Sequence, residues 1–310
     1  MRRIGSGALK QLLSLLSALF WLGCPVVVAA DESAADTGQE DSGSAPDRSG
    51  FTTGLGEMAL SEAFPEAAVW LELEDGDRAL GLFFPERASP APGALVLLAD
   101  VGGNAASGIL GILSAQLTER GWAVLAVGLP APPLALQQAL EARPGSAGPA
   151  ADDDRNGDDS AVMIDVMASP DGQSPEQRYR GRVRQSLEAA IDVLAARGYD
   201  RPVLLGVGHA SGHLVRVQQD LSNPGIMIWV APEFYPRDAA TLPKDLSAAG
   251  SGVLELYASR VSANEEVRRR WAALDRAGAY QRQPVSLQQP PSPTDAPGLA
   301  GRIDAWLRSR

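Results

Sequence analysis

The sequence predicts one α/β domain with a mostly parallel central sheet, helices on both faces of the sheet and an antiparallel hairpin at its N-terminal end. The first observation is a series of nearly all-apolar runs bounded by glycine or proline, typical of strands buried on both faces. The second is the helical spacing of apolar residues between these runs, which predicts alternating strands and helices. The third is a pair of strand-like segments flanking Asp75-Gly76-Asp77, which predicts a hairpin and its turn.

The predicted elements follow one another from Ala68 to the C-terminus. Strands are expected at Ala68–Leu73, Arg78–Phe84, Ala94–Asp100, Trp122–Val127, the run that starts at Val203, Ile226–Phe234, Val253–Ala258 and Gln283–Leu287. Helices are expected at Ile109–Arg120, Glu176–Arg197, Ser211–Leu221, Asn264–Ala277 and Leu299–Arg308. Together they define a domain over residues 59–310, with structure beginning near Leu60.

Two polar segments precede or interrupt this pattern. Residues 31–58 contain few large apolar side chains and many acids, so we predict a disordered acidic tether. Residues 141–177 are rich in Gly, Pro, Ser and Asp and are predicted to form a mobile surface insertion in the domain. In this insertion, Asp152, Asp154 and Asn156 match the first half of a Ca²⁺-binding loop. A solvated acidic loop is the alternative, because the twelfth position lacks the expected glutamate.

Residues 1–30 have the features of a secretory signal peptide. Basic residues open the segment, an apolar run follows from Leu12 to Val28, and small residues before the cut suit cleavage after Ala30. The predicted location is therefore the periplasm or the outside of the cell. Two alternatives stay open, namely lipidation at Cys24 and retention as an uncleaved membrane anchor.

The composition argues against several classes of partner. The formal net charge is −11, and loss of the signal segment, which carries three positive charges and no acid, would make it −14. Such a charge disfavours nucleic acid and anionic membrane surfaces as partners. After signal cleavage no segment of the sequence is apolar enough to be expected to cross a membrane. Cys24 is the only cysteine, so the mature chain is expected to contain no disulfide.

Several segments resemble the α/β-hydrolase superfamily. They are ALVLLADVGG, GWAVLAVGLP, VLLGVGHASG and VLELYAS, followed by an Arg-rich helix and GAYQRQPVSL. In detail they are similar to a family of exported bacterial proteins of unknown function, with an α/β-hydrolase-like domain and a degenerate catalytic triad. The resemblance runs from about Leu60 to the C-terminus. It implies a single α/β-hydrolase-type domain but no particular activity.

The predicted nucleophile elbow lacks its nucleophile. An elbow of the form G-x-S-x-G follows a buried strand, and the matching frame is Gly208-His209-Ala210-Ser211-Gly212. Ala210 stands at the nucleophile position of this frame and has no hydroxyl. Ser211 comes one residue later, on the first turn of the predicted helix and about 100° around its axis.

The other triad members are missing from the places that the resemblance implies. The loop before the last helix, Gln288 to Ala300, should supply a histidine and contains none, whereas His209 and His213 are both at the elbow. The loop expected to supply the acid contains no carboxylate, and Glu265 is the nearest one. Loss of one triad member costs about 10⁴-fold or more in rate, so an ordinary serine hydrolase is not expected.

Backbone and imidazole groups remain as candidate binding groups. The N–H groups predicted to form an oxyanion-type site for an anion or a carbonyl are those of Gly102, Gly103, Asn104 and Ser211. Alternatively, the glycines only allow the chain to turn. His209 and His213 are predicted to line a pocket, with a satisfied, partly buried histidine as the alternative for His213.

A dinucleotide site is a weaker possibility. Gly206 and Gly208 follow a strand, and Glu233 ends the next one, which partly matches a dinucleotide-binding fingerprint. The late position of this motif and the predicted export disfavour it, so no cofactor is expected.

The leading functional prediction is a non-catalytic exported protein that binds a small ligand or a protein partner in the cell envelope. One alternative is a weak or unconventional serine hydrolase that uses Ser211 with His209 or His213. Another alternative is an envelope scaffold whose tether and insertion hold protein partners.

Overall fold

The computed structural model describes residues 56–74, 76–88, 90–142, 172–221, 224–249, 251–260, 265–276 and 280–310. The predicted signal peptide, nearly all of the predicted tether and the Ca²⁺-loop candidates Asp152, Asp154 and Asn156 lie outside these ranges. What was predicted for them stays a prediction.

The described residues form an eight-stranded, mostly parallel sheet. Its strands are β1 (Ala68–Glu72), β2 (Arg78–Phe84), β3 (Ala94–Val101), β4 (Ala123–Leu129), β5 (Val203–Val207), β6 (Met227–Val230), β7 (Val253–Ala258) and β8 (Tyr280–Val285). They lie in the order β1-β2-β4-β3-β5-β6-β7-β8. β2 is antiparallel to both of its neighbours, β1 and β4, and all other neighbouring strands are parallel. The predicted hairpin and the predicted fold class are confirmed.

The helices of the described residues are α1 (Glu57–Ala63), α2 (Gly108–Glu119), α3 (Leu134–Glu141), α4 (Pro175–Ala195), α5 (Ala210–Asp220), α6 (Pro236–Ala249), α7 (Glu265–Leu274) and α8 (Ala296–Arg308). From β3 onward, helices lie between successive strands, α1 precedes the sheet and α8 follows its last strand. α4 begins at a capping box, in which the Ser174 hydroxyl accepts from the Gln177 N–H at 3.2 Å and the Gln177 side chain accepts from the Ser174 N–H at 2.8 Å. Within the described ranges, no helix combines the length and apolar character needed to span a bilayer.

The sheet is buried on both faces because alternate residues of its strands enter two different apolar clusters. In β4, Val124 and Ala126 belong to the cluster that includes residues of α2 and α8. Ala123, Leu125 and Val127 belong to the cluster that includes residues of α4, α5 and α6. All five are essentially inaccessible to solvent. This two-sided burial explains why the central strands read as continuous apolar runs.

The structure contains elements that the sequence pattern did not indicate. α1 starts at Glu57, slightly before the expected start of the domain, and α3 and α6 match no predicted helix. α6 contains Pro243, a residue that normally interrupts a helix, which explains the missed prediction. β8 begins at Tyr280 rather than Gln283, because most of its residues are partly exposed and its apolar pattern is weak.

Candidate active site

The sharp turn after β5 is centred on Gly208. β5 ends at Val207, Gly208 has a φ of 58°, and α5 begins at Ala210. The Gly208 N–H still donates to the Val230 carbonyl at 3.0 Å, so the sheet ladder holds the chain up to this residue. Because the nucleophile of an elbow sits on the strained strand-to-helix turn, Gly208 occupies that position here. The predicted frame, which placed Ala210 there, is displaced by two residues.

Small residues on both sides of Gly208 allow α5 to approach β5 closely. A Cβ atom on Gly206 would lie 2.9 Å from the Ser211 nitrogen, which no real side chain tolerates. Ala210 is completely buried at the start of the helix. The elbow frame in the structure is therefore Gly206-Val207-Gly208-His209-Ala210.

The Ser211 side chain does not face solvent. Ser211 is completely buried, and its hydroxyl makes one long hydrogen bond, 3.4 Å, to the Gly206 carbonyl. Its N–H donates to the Gly208 carbonyl at 3.3 Å. In this arrangement neither the hydroxyl nor the N–H of Ser211 is presented to a substrate.

A carboxylate that the sequence analysis did not single out lies over the turn. Asp100 is near the end of β3, and its Oδ1 atom accepts the N–H of His209 at 2.9 Å and the N–H of Val101 at 2.8 Å. A Cβ atom on Gly208 would lie 2.3 Å from the Asp100 carboxyl carbon. The carboxylate therefore fills the space into which a nucleophilic side chain at position 208 would project.

The two N–H groups that Asp100 engages converge on one oxygen, as the donors of an oxyanion hole do. In α/β-hydrolases these donors are the residue after the nucleophile and a residue of the loop after β3. Here His209 follows the nucleophile position, and Val101 is the last residue of β3, directly before that loop. Both N–H groups already bond to Asp100 Oδ1, so a carboxylate of the protein occupies the point on which they converge.

The loop N–H groups predicted to form the oxyanion-type site have other acceptors. The Gly102 N–H donates to the Leu129 carbonyl at 2.8 Å, and the Gly103 N–H to the Asp100 carbonyl at 2.8 Å. The Asn104 N–H donates to the Ser107 hydroxyl oxygen at 2.8 Å. These glycines and Asn104 therefore shape the loop, and the structure does not bring their N–H groups together at a vacant site.

His209 lies between two carboxylates at the mouth of the site. Its Nδ1 atom is 3.6 Å from Asp100 Oδ1 and 3.6 Å from Glu233 Oε2, distances that suit ion pairs rather than hydrogen bonds. The ring packs on Tyr235, with 4.7 Å between the ring centres. Partial burial opposes protonation, but Asp100, Glu233 and Glu141 together outweigh it and raise the pKa of His209 above its ordinary value.

Asp100 is correspondingly held in its charged form. Partial burial acts to raise the pKa of its carboxyl group. The interaction with the His209 side chain and the N–H groups of His209 and Val101 outweigh that effect and lower the pKa. Asp100 is therefore ionised at neutral pH, and its charge favours the protonated form of His209.

His213 has a different environment, although it lies on the same helix. It is 5% exposed, and its ring meets the ring of Tyr179 edge to face, with 5.6 Å between centres. Burial, and secondarily the charge of Arg180, lowers its pKa to about 3, so His213 is neutral. Arg180 and Arg216 both pair with Asp238, at 3.1 Å and 2.5 Å respectively. His213 therefore packs in the interior of the domain, against Tyr179.

The loop that should carry a catalytic histidine instead contributes proline to a cleft beside Asp100. The cleft has a volume of about 180 Å³ and lies at the carboxyl ends of β3 and β5. Its lining residues are Ala99, Asp100, Val101, Gly103, Ser107, Gly108, Ile109, Leu110, Val207, Pro290 and Pro291. Asp100 is the charged residue of this lining, and most of the others are apolar.

The region expected to supply an acid is only partly described. Residues 261–264 and the side chain of Glu265 lie outside the described residues. Nearby, Glu255 on β7 is completely buried and accepts hydrogen bonds from Arg270, Trp271 and Tyr280 at 2.9, 2.8 and 2.6 Å. Three donors satisfy this carboxylate, and it ties α7 and β8 to β7.

The described residues give no support to a metal or dinucleotide site. Among them, no group of three His, Cys, Asp or Glu side chains is placed to hold a metal ion. The Asp100 carboxylate lies against Gly208, where a dinucleotide-binding turn would bring a pyrophosphate close to the backbone. Glu233 faces His209 instead of an open ribose site.

Solved structures share this architecture. A dienelactone hydrolase from Anabaena variabilis matches with a TM-score of 0.51 at 12% identity, covering 78% of this chain and 96% of that chain. The esterase domain of a Rhodothermus marinus protein matches with a TM-score of 0.49 at 12% identity, covering 78% and 97%. Together with the strand order, the match to the dienelactone hydrolase shows an α/β-hydrolase fold. The family described as "Protein of unknown function (DUF3530)" matches residues 11–308, and the chain belongs to it. No curated protein sequence matches this chain detectably.

Proposed function

We propose that this chain is a non-catalytic α/β-hydrolase-fold protein that binds a small ligand at the cleft beside Asp100. One observation carries the proposal: the Asp100 carboxylate covers Gly208 and accepts both N–H groups of the oxyanion position. Hydrolysis by this fold needs a nucleophile on the turn, a base beside it and free N–H donors for the developing oxyanion.

At each of these three positions the chain has a group that cannot carry out the catalytic role. Position 208 has no side chain, so no nucleophile stands on the turn. The loop that would supply the base supplies Pro290 and Pro291 to the cleft wall. The oxyanion donors are already bonded to a negative charge, which would repel a second one.

Ligand binding is supported by the position of the cleft. Ligands of open α/β sheets bind outside the carboxyl ends of the strands, and small-molecule sites are concave, mostly apolar and supplied with a few polar groups. The cleft beside Asp100 meets both descriptions. We further propose the cell envelope as the location, on the basis of the signal-peptide pattern in residues 1–30.

The proposal is tested by assaying the purified protein against short p-nitrophenyl esters and with a fluorophosphonate probe. We expect no ester turnover above buffer and no labelling of Ser211. Turnover that Ser211→Ala abolishes would overturn the proposal. Ser114→Ala is the matched control, because Ser114 is an equally buried serine on α2.

A further inference from the structure

The cleft combines apolar walls with one charged residue. Its hydrocarbon surface comes from Ala99, Val101, Ile109, Val207 and the two prolines, and its charge comes from Asp100. The Asp100 side chain is 38% exposed, so it is accessible. A molecule that fills this cleft therefore meets apolar surface and one carboxylate.

One oxygen of the Asp100 carboxylate has no donor among the residues that the structure describes. Both backbone donors bond to Oδ1, and no hydrogen bond from the described residues goes to Oδ2. Oδ2 can therefore accept a hydrogen bond from a ligand while Oδ1 stays fixed by the backbone. A charge-assisted bond from a cationic donor to a carboxylate is stronger than a neutral one.

The surrounding charges also favour a cation. Glu233, whose side chain is 46% exposed, and Glu141 act on the same region as Asp100. His209 is the basic group that faces Asp100, and it is shared with Glu233. The guanidinium groups of Arg180 and Arg216 are engaged with Asp238. Three carboxylates, those of Asp100, Glu233 and Glu141, therefore act on one imidazole.

We infer that the cleft binds a small aliphatic ammonium, with the ammonium group on Asp100 and the hydrocarbon part between the α2 wall and the two prolines. This inference rests on the proposed function and specifies its ligand. The volume of about 180 Å³ is below the range of about 300–1,000 Å³ that is typical of drug-sized ligands, so the occupant is small. The proposed site therefore binds a cation, whereas an oxyanion hole binds an anion.

The test compares butylammonium, butanol and butyrate with the purified full chain at neutral pH, by calorimetry and ligand-observed NMR. We expect butylammonium to bind about fivefold more tightly than butanol, as one partly exposed charge pair allows, and butyrate to show no binding. Methylammonium should bind more weakly than butylammonium, because it cannot use the apolar walls.

Two variants show whether Asp100 is responsible. Asp100→Asn keeps an Oδ1 acceptor and should weaken butylammonium binding about fivefold, whereas Glu66→Gln, which removes an exposed carboxylate before β1, should not. Circular dichroism checks that both variants are folded.

Several outcomes would overturn the inference. These are binding of butyrate as tight as that of butylammonium, equal binding of methylammonium and butylammonium, no binding of any of the compounds, or unchanged binding by Asp100→Asn. In each case the absence of catalysis is still judged separately by the ester assay, so the two failures are distinguishable.

Discussion

Two carboxylates on parallel strands of one sheet, Glu255 and Asp100, are held in opposite ways. Glu255 is completely inaccessible and is satisfied by three side-chain donors, from Arg270, Trp271 and Tyr280. Asp100 is partly exposed and is held by two backbone N–H groups at a turn. The first carboxylate has no surface left for a ligand, whereas the second is partly exposed and lines a cleft.

The contrast is between a carboxylate with a structural role and the carboxylate that we propose as a binding group. A buried carboxylate whose bonding capacity is used inside the protein fixes the elements around it. A carboxylate held by backbone donors is oriented but stays partly exposed.

Glu255→Ala should cause the largest loss of stability. It leaves the Arg270 guanidinium, whose side chain is 12% exposed, without its carboxylate, and breaking a buried pair costs about 3–5 kcal/mol. Urea unfolding measures the change. Glu119→Ala, which removes a pair with Arg87 at 47% and 66% exposure, is the control and should cost less than about 1 kcal/mol. Similar losses for the two variants would contradict the structural role of Glu255.

Gly208→Ala should lower the free energy of unfolding, measured by urea denaturation, by about 2–4 kcal/mol. Position 208 has a left-handed backbone, and the added Cβ atom would overlap with Asp100. Gly76→Ala is a matched control, because Gly76 has a φ of 75° but open space around its Cβ position, so strain alone costs about 1–2 kcal/mol. In an Asp100→Ala background, the cost of Gly208→Ala should fall to that of Gly76→Ala. Equal costs in both backgrounds would show that Asp100 does not fill the nucleophile position.

His213 should make the protein less stable in acid. Its folded-state pKa is about 3 against an ordinary value of 6.5, so the unfolded chain binds the proton first. The free energy of unfolding should then fall by up to about 1.4 kcal/mol for each pH unit below 6.5. Denaturation at several pH values measures this slope, and His213→Gln should reduce it. An unchanged slope in that variant would show that other groups dominate acid unfolding.

His209 should titrate in the opposite direction. Because its pKa is raised in the folded state, it adds stability below about pH 6.5, and this contribution disappears as the pH rises through its folded pKa. The effect on stability is at most about 1 kcal/mol, because the pair with Asp100 is partly exposed. NMR titration of the imidazole should give a midpoint above 6.5, and Asp100→Asn should lower it. A midpoint that Asp100→Asn leaves unchanged would remove Asp100 as the cause.

Local pattern was sufficient for most of the fold. Strands buried on both faces must be apolar at every position, so β3, β4 and β5 could be predicted from short stretches of sequence. α6 could not, because its proline argues against a helix that tertiary packing nevertheless stabilises. The absence of a catalytic histidine from the loop before the last helix was also evident in the sequence, since Gln288 to Ala300 contains no histidine.

The register of the turn could not be predicted in the same way. Gly206, Gly208 and Gly212 allow more than one elbow frame, and the choice depends on where the ladder of β5 ends. That end is set by the hydrogen bond from Gly208 to Val230 on the neighbouring strand. No pattern in the sequence around Gly208 indicates this hydrogen bond.

An α/β sheet, an elbow-like turn and the lack of a histidine in the loop before the last helix could all be inferred from the amino-acid sequence, because periodicity and residue identity are local properties. Only the tertiary structure placed Asp100 over Gly208 and bonded it to His209, a residue 109 positions away in the chain. The physical reason is that neighbouring parallel strands bring their carboxyl ends together however far apart they lie in sequence. As a result, the Asp100 carboxylate covers the turn at Gly208, where the elbow of this fold would carry its nucleophile.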